Sequence, residues 1–141
     1  MPLGERALNP NTPYLVYEFL YNGGVFYVGL AHGHIRHTRR WSHVANLVRH
    51  ENAGTLKPSK AADLGRKSNQ VIAALIRAGL IEHTVSVAWK GMGKKQAEIE
   101  EARVIRQRLA EGCLLANIAG NKNHRVTVDE ILRYLNVRVA V

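Results

Sequence analysis

The chain has 141 residues, and its 20 lysines and arginines exceed its 11 acidic residues, which gives a formal net charge of +9. Hydrophobic residues make up 46% of it, which excludes wholesale disorder, and no apolar run approaches the ~20 residues that cross a bilayer. The single cysteine, Cys113, excludes an intramolecular disulfide and a cysteine-rich zinc site. These features predict one domain, residues 1–141, that is intracellular (cytoplasmic or nucleoid-associated), has no membrane partner and binds a polyanion.

The first two predicted elements form a β-hairpin. The segment from Tyr14 to Tyr21 is rich in aromatic and β-branched residues, as strands are. The segment from Val25 to Leu30 is the returning strand, and Asn22-Gly23-Gly24 between them is a turn signal.

The remaining elements follow from helical periodicity, capping residues and glycines. In chain order we expect a helix over 39–50, a polar loop over 51–66, a helix over 69–78 capped by Ser68, a strand over 84–89, a helix over 94–111, and a short helix over 128–135 capped by Thr127. The order β-β-α-α-β-α-α predicts an α+β fold, with a small three-stranded antiparallel sheet flanked by helices.

The positive charge is concentrated in residues 32–67, where eight basic residues outnumber two acidic ones. The phosphate groups of nucleic acids attract such clusters. The residues that we expect to contact a nucleic acid are Arg36, Lys57, Lys60, Arg66 and Lys67.

Two tyrosine-containing triplets, an arginine-rich helix, an acidic helix and an asparagine follow one another along the chain. They are Leu15-Val16-Tyr17, Tyr27-Val28-Gly29, Arg39-Arg40-Trp41-Ser42-His43, the segment 97–105 around Glu101, and Asn117 after Leu114-Leu115-Ala116. In order and spacing these segments resemble the GIY-YIG nuclease superfamily. The resemblance covers residues 14–120 and leaves 121–141 as a C-terminal helical extension.

The resemblance implies a metal-dependent DNA endonuclease that leaves 5′-phosphate and 3′-hydroxyl ends. It implies that Glu101 (with Glu98 as the alternative) binds one Mg²⁺ or Mn²⁺, and that Tyr17, with Tyr27 or His43, activates water. These residue types suit the chemistry, because a carboxylate binds a hard cation and a phenol or imidazole can accept a proton. The implied partner is DNA, double-stranded or branched, bound by a monomer or a homodimer.

The resemblance also implies an arginine on the scissile phosphate, since a guanidinium fits a phosphate in bidentate fashion. Arg36 lies nearest the family's spacing, Arg40 precedes the bulky Trp41, and Arg39 lies four residues before His43 on the same helix face. We favour Arg39, then Arg40, then Arg36. Asn117 closes the motif set, although a structural role through hydrogen bonds to backbone is also open.

A shared site for Tyr17 and Tyr27 sets a condition on the hairpin, because both side chains must project from the same face of the sheet. A two-residue Asn-Gly turn in regular register would place them on opposite faces. A three-residue loop, Asn22-Gly23-Gly24, pairs Phe19 with Tyr27 and places Tyr17 diagonally beside Tyr27. We therefore predict the three-residue loop.

Other functions remain open. Residues 69–87 resemble the recognition helix and wing entry of a winged-helix regulator, which would bind DNA without cutting it. The GIY-YIG fold could also be present without activity, or act on RNA. We rank the nuclease first, because a regulator has no use for the tyrosine hairpin or for Glu101 beside Asn117.

Overall fold

The computed structural model describes residues 13–32, 36–80 and 84–137, with backbone alone for 36–38 and 84–91. In these ranges lie strands β1 (Tyr14–Tyr21), β2 (Gly24–His32) and β3 (Thr84–Met92), and helices α1 (Arg36–Ala53), α2 (Pro58–Leu64), α3 (Lys67–Arg77), α4 (Lys94–Ala110) and α5 (Val128–Tyr134). The predicted α+β class is confirmed. None of the described helices is long and apolar enough to cross a membrane.

The sheet has the strand order β2-β1-β3, with both pairs antiparallel, so that β1 is central. Side chains alternate along β1 between two cores. Tyr17 and Phe19 pack with apolar residues of α1, α3 and α5, whereas Val16 packs with Val104 and Ile105 of α4. The sheet therefore separates α4 from the other helices, and β2 forms one edge.

The hairpin turn has two residues, and the prediction of a three-residue loop was wrong. Tyr21 pairs with Gly24, and the two residues between them, Asn22 and Gly23, have φ angles of 53° and 78°. Positive φ at both central positions is what a two-residue type I′ turn requires, and Asn-Gly adopts it readily. The turn therefore follows the local preference of this dipeptide.

A β-bulge restores the predicted register beyond the turn. The pairing shifts by one residue between Phe19 and Leu20, after which Phe19 lies opposite Tyr27. A bulge inserts one unpaired residue and thereby changes which side chains share a face. The prediction that Tyr17 and Tyr27 lie on one face is thus confirmed, through the bulge rather than through the loop.

Residues 51–66, predicted as a polar loop, contain helix, and that prediction was wrong. Helix α1 continues to Ala53, and α2 occupies Pro58–Leu64. Proline is favourable at the first position of a helix, where its missing N–H has no intrahelical partner. Pro58 therefore begins a helix, and the buried Leu64 attaches that helix to the core.

Two predicted caps have different outcomes. Ser68 does not cap α3, because the helix begins at Lys67, and its side chain is buried. Thr127 caps α5 as predicted, in a reciprocal capping box in which its hydroxyl accepts from the Glu130 N–H. The first helix also begins at Arg36, three residues earlier than predicted.

Candidate active-site cleft

A cleft of about 470 Å³ lies along the edge of β2. Its walls include Tyr27 of β2, Arg40 of α1 and Glu101 of α4, and they are completed by segments 66–68 and 116–119. The edge strand therefore allows helices from both sides of the sheet to contribute to one cavity. Four of the residues selected from the sequence for the catalytic motifs line it: Tyr27, Arg40, Glu101 and Asn117.

Arg40 is held in the cleft by polar side chains of α3. Its Nε donates to Asn69 Oδ1 at 3.1 Å, and its Nη2 donates to Ser68 Oγ. Its Nη1 lies 3.5 Å from the Tyr17 hydroxyl, and its guanidinium carbon lies 4.5 Å from the centre of the Tyr27 ring. The last geometry is a cation–π contact. Partners on three elements, α3, β1 and β2, thus fix the plane and position of the guanidinium.

The structure places Arg40 in the cleft, whereas Arg39 was the arginine favoured from the sequence. Arg39 and His43 share a helix face, as predicted, but both are exposed, and neither lines the cleft. The Nε2 atom of His43 instead lies 2.9 Å from Asp63 Oδ2, and this contact lowers the pKa of Asp63. Arg40 lies one turn before the buried Val44, on the side of α1 that packs against the core.

Tyr17 lies beneath the cleft rather than in its wall. The residue is 6% exposed, and its ring covers Gly29, where a β-carbon would lie only 2.3 Å from Tyr17 Cζ. Burial, followed by the neighbouring Tyr27, raises the pKa of Tyr17 to about 12. A phenol that is neutral and buried at physiological pH is better suited to supporting Arg40 than to taking a proton from water.

Tyr27 is half-buried and forms part of the cleft wall. Its ring centre lies 6.0 Å from that of Tyr17 and 5.7 Å from that of Phe19. Aromatic pairs at such separations attract one another. Tyr27, from the second triplet, therefore contacts the cavity, and Tyr17, from the first triplet, packs beneath Tyr27.

Glu101 is a half-buried carboxylate without a neutralising partner among the described residues. Burial and the nearby Glu98 both raise its pKa. Other carboxylates that are buried or partly buried have partners: Glu18 accepts from Arg108 Nη2 at 2.9 Å, Glu100 accepts from Arg103 Nε at 2.7 Å, and Asp63 contacts His43. An unneutralised carboxylate in a cleft is a favourable ligand for a cation.

The donor set distinguishes between kinds of metal. The described residues contain no group of three or more histidines, cysteines, aspartates or glutamates that could hold an ion. A structural zinc site needs four such ligands, so this cleft does not fit one. Mg²⁺ retains several waters and binds one or two carboxylates together with phosphate oxygens, and Glu101 fits that role.

Asn117 lines the cleft, and its side-chain amide is bonded to the backbone of β2, as the structural alternative expects. Its Oδ1 accepts from the Val28 N–H at 3.0 Å, and its Nδ2 donates to the Val28 carbonyl at 2.6 Å. The Ala116 N–H likewise donates to the Phe26 carbonyl at 2.7 Å. These contacts satisfy the edge of β2, so the polar atoms of Asn117 hold the cleft wall together.

The predicted nucleic-acid-binding residues separate into two places. Arg66 and Lys67 line the cleft. Lys57 and Lys60 line a different cavity of about 350 Å³ with His43. The side chain of Arg36 lies outside the described residues.

Sequence reasoning missed three residues that shape the site, Ser68, Asn69 and Gly29. Ser68 and Asn69 are buried, and both accept from Arg40. The burial of Ser68 could have been predicted, because it lies four residues before Ile72 and so on the same apolar face of the helix. A buried hydroxyl requires a hydrogen-bond partner, which would have pointed to a polar contact at this position. Gly29 was selected as part of a motif, but its role in leaving room for the Tyr17 ring was not predicted.

Comparison of the chain with protein-family models, with curated proteins and with solved structures found no match.

Proposed function

We propose that this protein is a small GIY-YIG-like endonuclease that hydrolyses DNA phosphodiester bonds with the help of Mg²⁺ or Mn²⁺. The observation that carries the proposal is the convergence of Tyr27, Arg40 and Glu101 on one basic cleft. Phosphodiester hydrolysis needs a cation for the phosphate, charge neutralisation for its transition state, and a group that can accept a proton. One cleft wall offers each of these.

In this proposal Glu101 holds the divalent cation, which when bound would polarise the phosphate and stabilise negative charge on the leaving oxygen. Glu101 suits this role because it lies in the cleft without a cationic partner among the described side chains. Its raised pKa makes proton and metal compete for the carboxylate at acidic pH.

Arg40 contacts the scissile phosphate, and its surroundings prepare it for that contact. Ser68 and Asn69 occupy some of its N–H groups and hold the guanidinium in place before substrate binds. Such preorganisation removes the cost of ordering a long side chain during the reaction. Arg66 and Lys67 are placed to bind adjacent phosphates.

Tyr27 is the proposed general base, because it is the tyrosine in the cleft wall. It would act as the phenolate, beside the Arg40 guanidinium, and become a neutral phenol when it takes the proton of the attacking water. Tyr17 acts as a positioning residue. Its ring lies against Gly29, its hydroxyl lies 3.5 Å from Arg40 Nη1, and its ring centre lies 6.0 Å from that of Tyr27, so it can support both groups from below.

The test is conversion of supercoiled plasmid to nicked or linear forms with Mg²⁺, Mn²⁺ or EDTA. We expect cleavage that requires the metal and falls at least ~100-fold in Glu101→Gln. Glu98→Gln is the matched control, because Glu98 lies on the same helix one turn earlier but is exposed. Equal rates for wild type and Glu101→Gln would reject the metal site, and loss in Glu98→Gln alone would transfer the role to Glu98.

The same assay separates the alternatives. Tight, salt-dependent binding without cleavage of any DNA would favour a regulator, and cleavage of RNA alone would favour an RNA-directed enzyme. The winged-helix alternative would have to use the exposed side of α3, because Val71, Ile72 and Leu75 bury the other side. The remaining surface of α3 is partly used by Arg77, which pairs with Glu51.

A further inference from the structure

Ile118 is an exposed apolar side chain at the rim of the cleft. It is 60% exposed, one of two large hydrophobic side chains in the described ranges with such exposure, and it lines the same cavity as Arg40 and Glu101. The other is Ile99, which is 59% exposed and lies outside the cleft wall. Single exposed apolar side chains are common on protein surfaces, but Ile118 is the one of the two that adjoins the ionic groups of the cleft.

The loop that carries Ile118 is held in place by buried asparagines. We name residues 117–126 the rim loop. Asn117 is bonded to Val28, and Asn121 Nδ2 donates to the carbonyls of Leu115 and Asn117 at 3.1 and 2.8 Å. Asn121 Oδ1 accepts from the Asn123 N–H at 2.8 Å. The side chain of Ile118 is therefore presented to solvent by a fixed backbone.

The surroundings of the rim loop are cationic. Lys122 and Arg125 are exposed on the loop itself, and Lys67 reaches it through a hydrogen bond from Nζ to the His124 carbonyl. Glu130 is near these residues but accepts hydrogen bonds from Thr127. A polyanion that enters the cleft would therefore also be attracted to the loop.

We propose that Ile118 is a wedge that contacts an unstacked base beside the phosphate held in the cleft, so that the protein prefers DNA with a locally unstacked step. Proteins that kink DNA often insert an apolar side chain between base steps while cations hold the flanking phosphates. The cost of unstacking is smallest where a base is already unpaired. This proposal deepens the proposed function, on which it rests for its DNA partner.

The test is binding in EDTA, where metal-dependent cleavage is absent, to two fluorescent duplexes that differ by a single-nucleotide bulge. We expect wild type to bind the bulged duplex about tenfold more tightly than the paired one. Ile118→Ala should lose most of this preference and Ile99→Ala should keep it. Both residues are exposed, so both variants should retain the Tm of wild type.

A second signal reports the contact directly. With 2-aminopurine beside the bulge, wild type should raise the fluorescence on binding and Ile118→Ala should not. The proposal is overturned if wild type does not distinguish the duplexes, if Ile118→Ala keeps the preference, or if that variant weakens both complexes equally. A preference for the bulged duplex without plasmid cleavage would support the wedge and reject the nuclease. Plasmid cleavage without that preference would support the nuclease and reject the wedge.

Discussion

The replacement Gly29→Ala tests how closely the tyrosine hairpin depends on the absence of one side chain. A β-carbon at position 29 would lie 2.3 Å from Tyr17 Cζ, 2.4 Å from its hydroxyl oxygen and 2.7 Å from Cε1. All three separations are far below a van der Waals contact, so the ring must move. Its room to move is limited, because Phe19 and Tyr27 lie beside it at ring-centre distances of 5.0 and 6.0 Å.

Gly29→Ala should therefore lower the free energy of unfolding by about 1–3 kcal/mol, which is the usual effect of placing an extra group in a packed core. For a domain of this size we expect Tm to fall by roughly 3–10 °C. Gly65→Ala is the matched control, because φ at Gly65 is −75° and its β-carbon would meet nearest atoms at 3.4 and 3.6 Å. Gly65→Ala should change the free energy of unfolding by less than about 0.5 kcal/mol.

A double-mutant cycle measured by chemical denaturation isolates the clash. Tyr17→Ala is destabilising alone, but it removes the ring that the methyl group added by Gly29→Ala would meet. The double variant should therefore be no less stable than Tyr17→Ala, which corresponds to a coupling of about 1–3 kcal/mol. Additive losses would refute the reasoning, since they would show that the added methyl group acts through something other than Tyr17.

Three further predictions concern the residues around the cleft. In urea titrations, Arg40→Ala should lower the free energy of unfolding by about 1–3 kcal/mol, because Ser68 and Asn69 are buried and would lose their donor. Arg39→Ala, at an exposed position, should change the same free energy by less than about 0.5 kcal/mol. Asn117→Leu should cost about 1–3 kcal/mol and speed amide exchange at Val28, since it removes both partners of that residue's backbone groups; unchanged exchange there would contradict the structural role. Glu101→Gln should raise Tm at pH 7 but not near pH 4. A carboxyl whose pKa is raised by folding destabilises the folded protein once the pH exceeds that raised pKa, and has no such effect below the pKa of the unfolded chain. An equal gain in Tm at both pH values would show that the effect is not ionic.

The local preferences of the sequence predicted the hairpin, the closing helix and its cap, but not the features that depend on several elements at once. The Asn-Gly turn has two residues as its dipeptide prefers, and the bulge between Phe19 and Leu20 then restores the pairing of Phe19 with Tyr27. The turn preference of the dipeptide does not extend to that bulge, which leaves Phe26 out of the pairing and breaks the alternation of side chains along β2.

The choice between the two neighbouring arginines shows the same limit. Arg39 and Arg40 have the same chemistry, and a local rule linked Arg39 to His43. What places Arg40 in the cleft is the packing of α1 on the sheet and two acceptors on α3, 28 and 29 residues further along the chain. Such contacts cannot be derived from spacing along one helix. Asn117 and Val28, 89 residues apart, likewise meet through the fold.

The central claim, that Tyr27 and Glu101 act together in one catalytic site, is tested most directly by the Mg²⁺-dependent cleavage rates of Tyr27→Phe, Glu101→Gln and the double variant. Groups that stabilise one transition state together lose their effect together. We predict that each single variant is slowed at least ~100-fold and that the double variant is about as slow as the slower single one. Wild-type rates in Glu101→Gln, or losses that multiply in the double variant, would contradict a shared site.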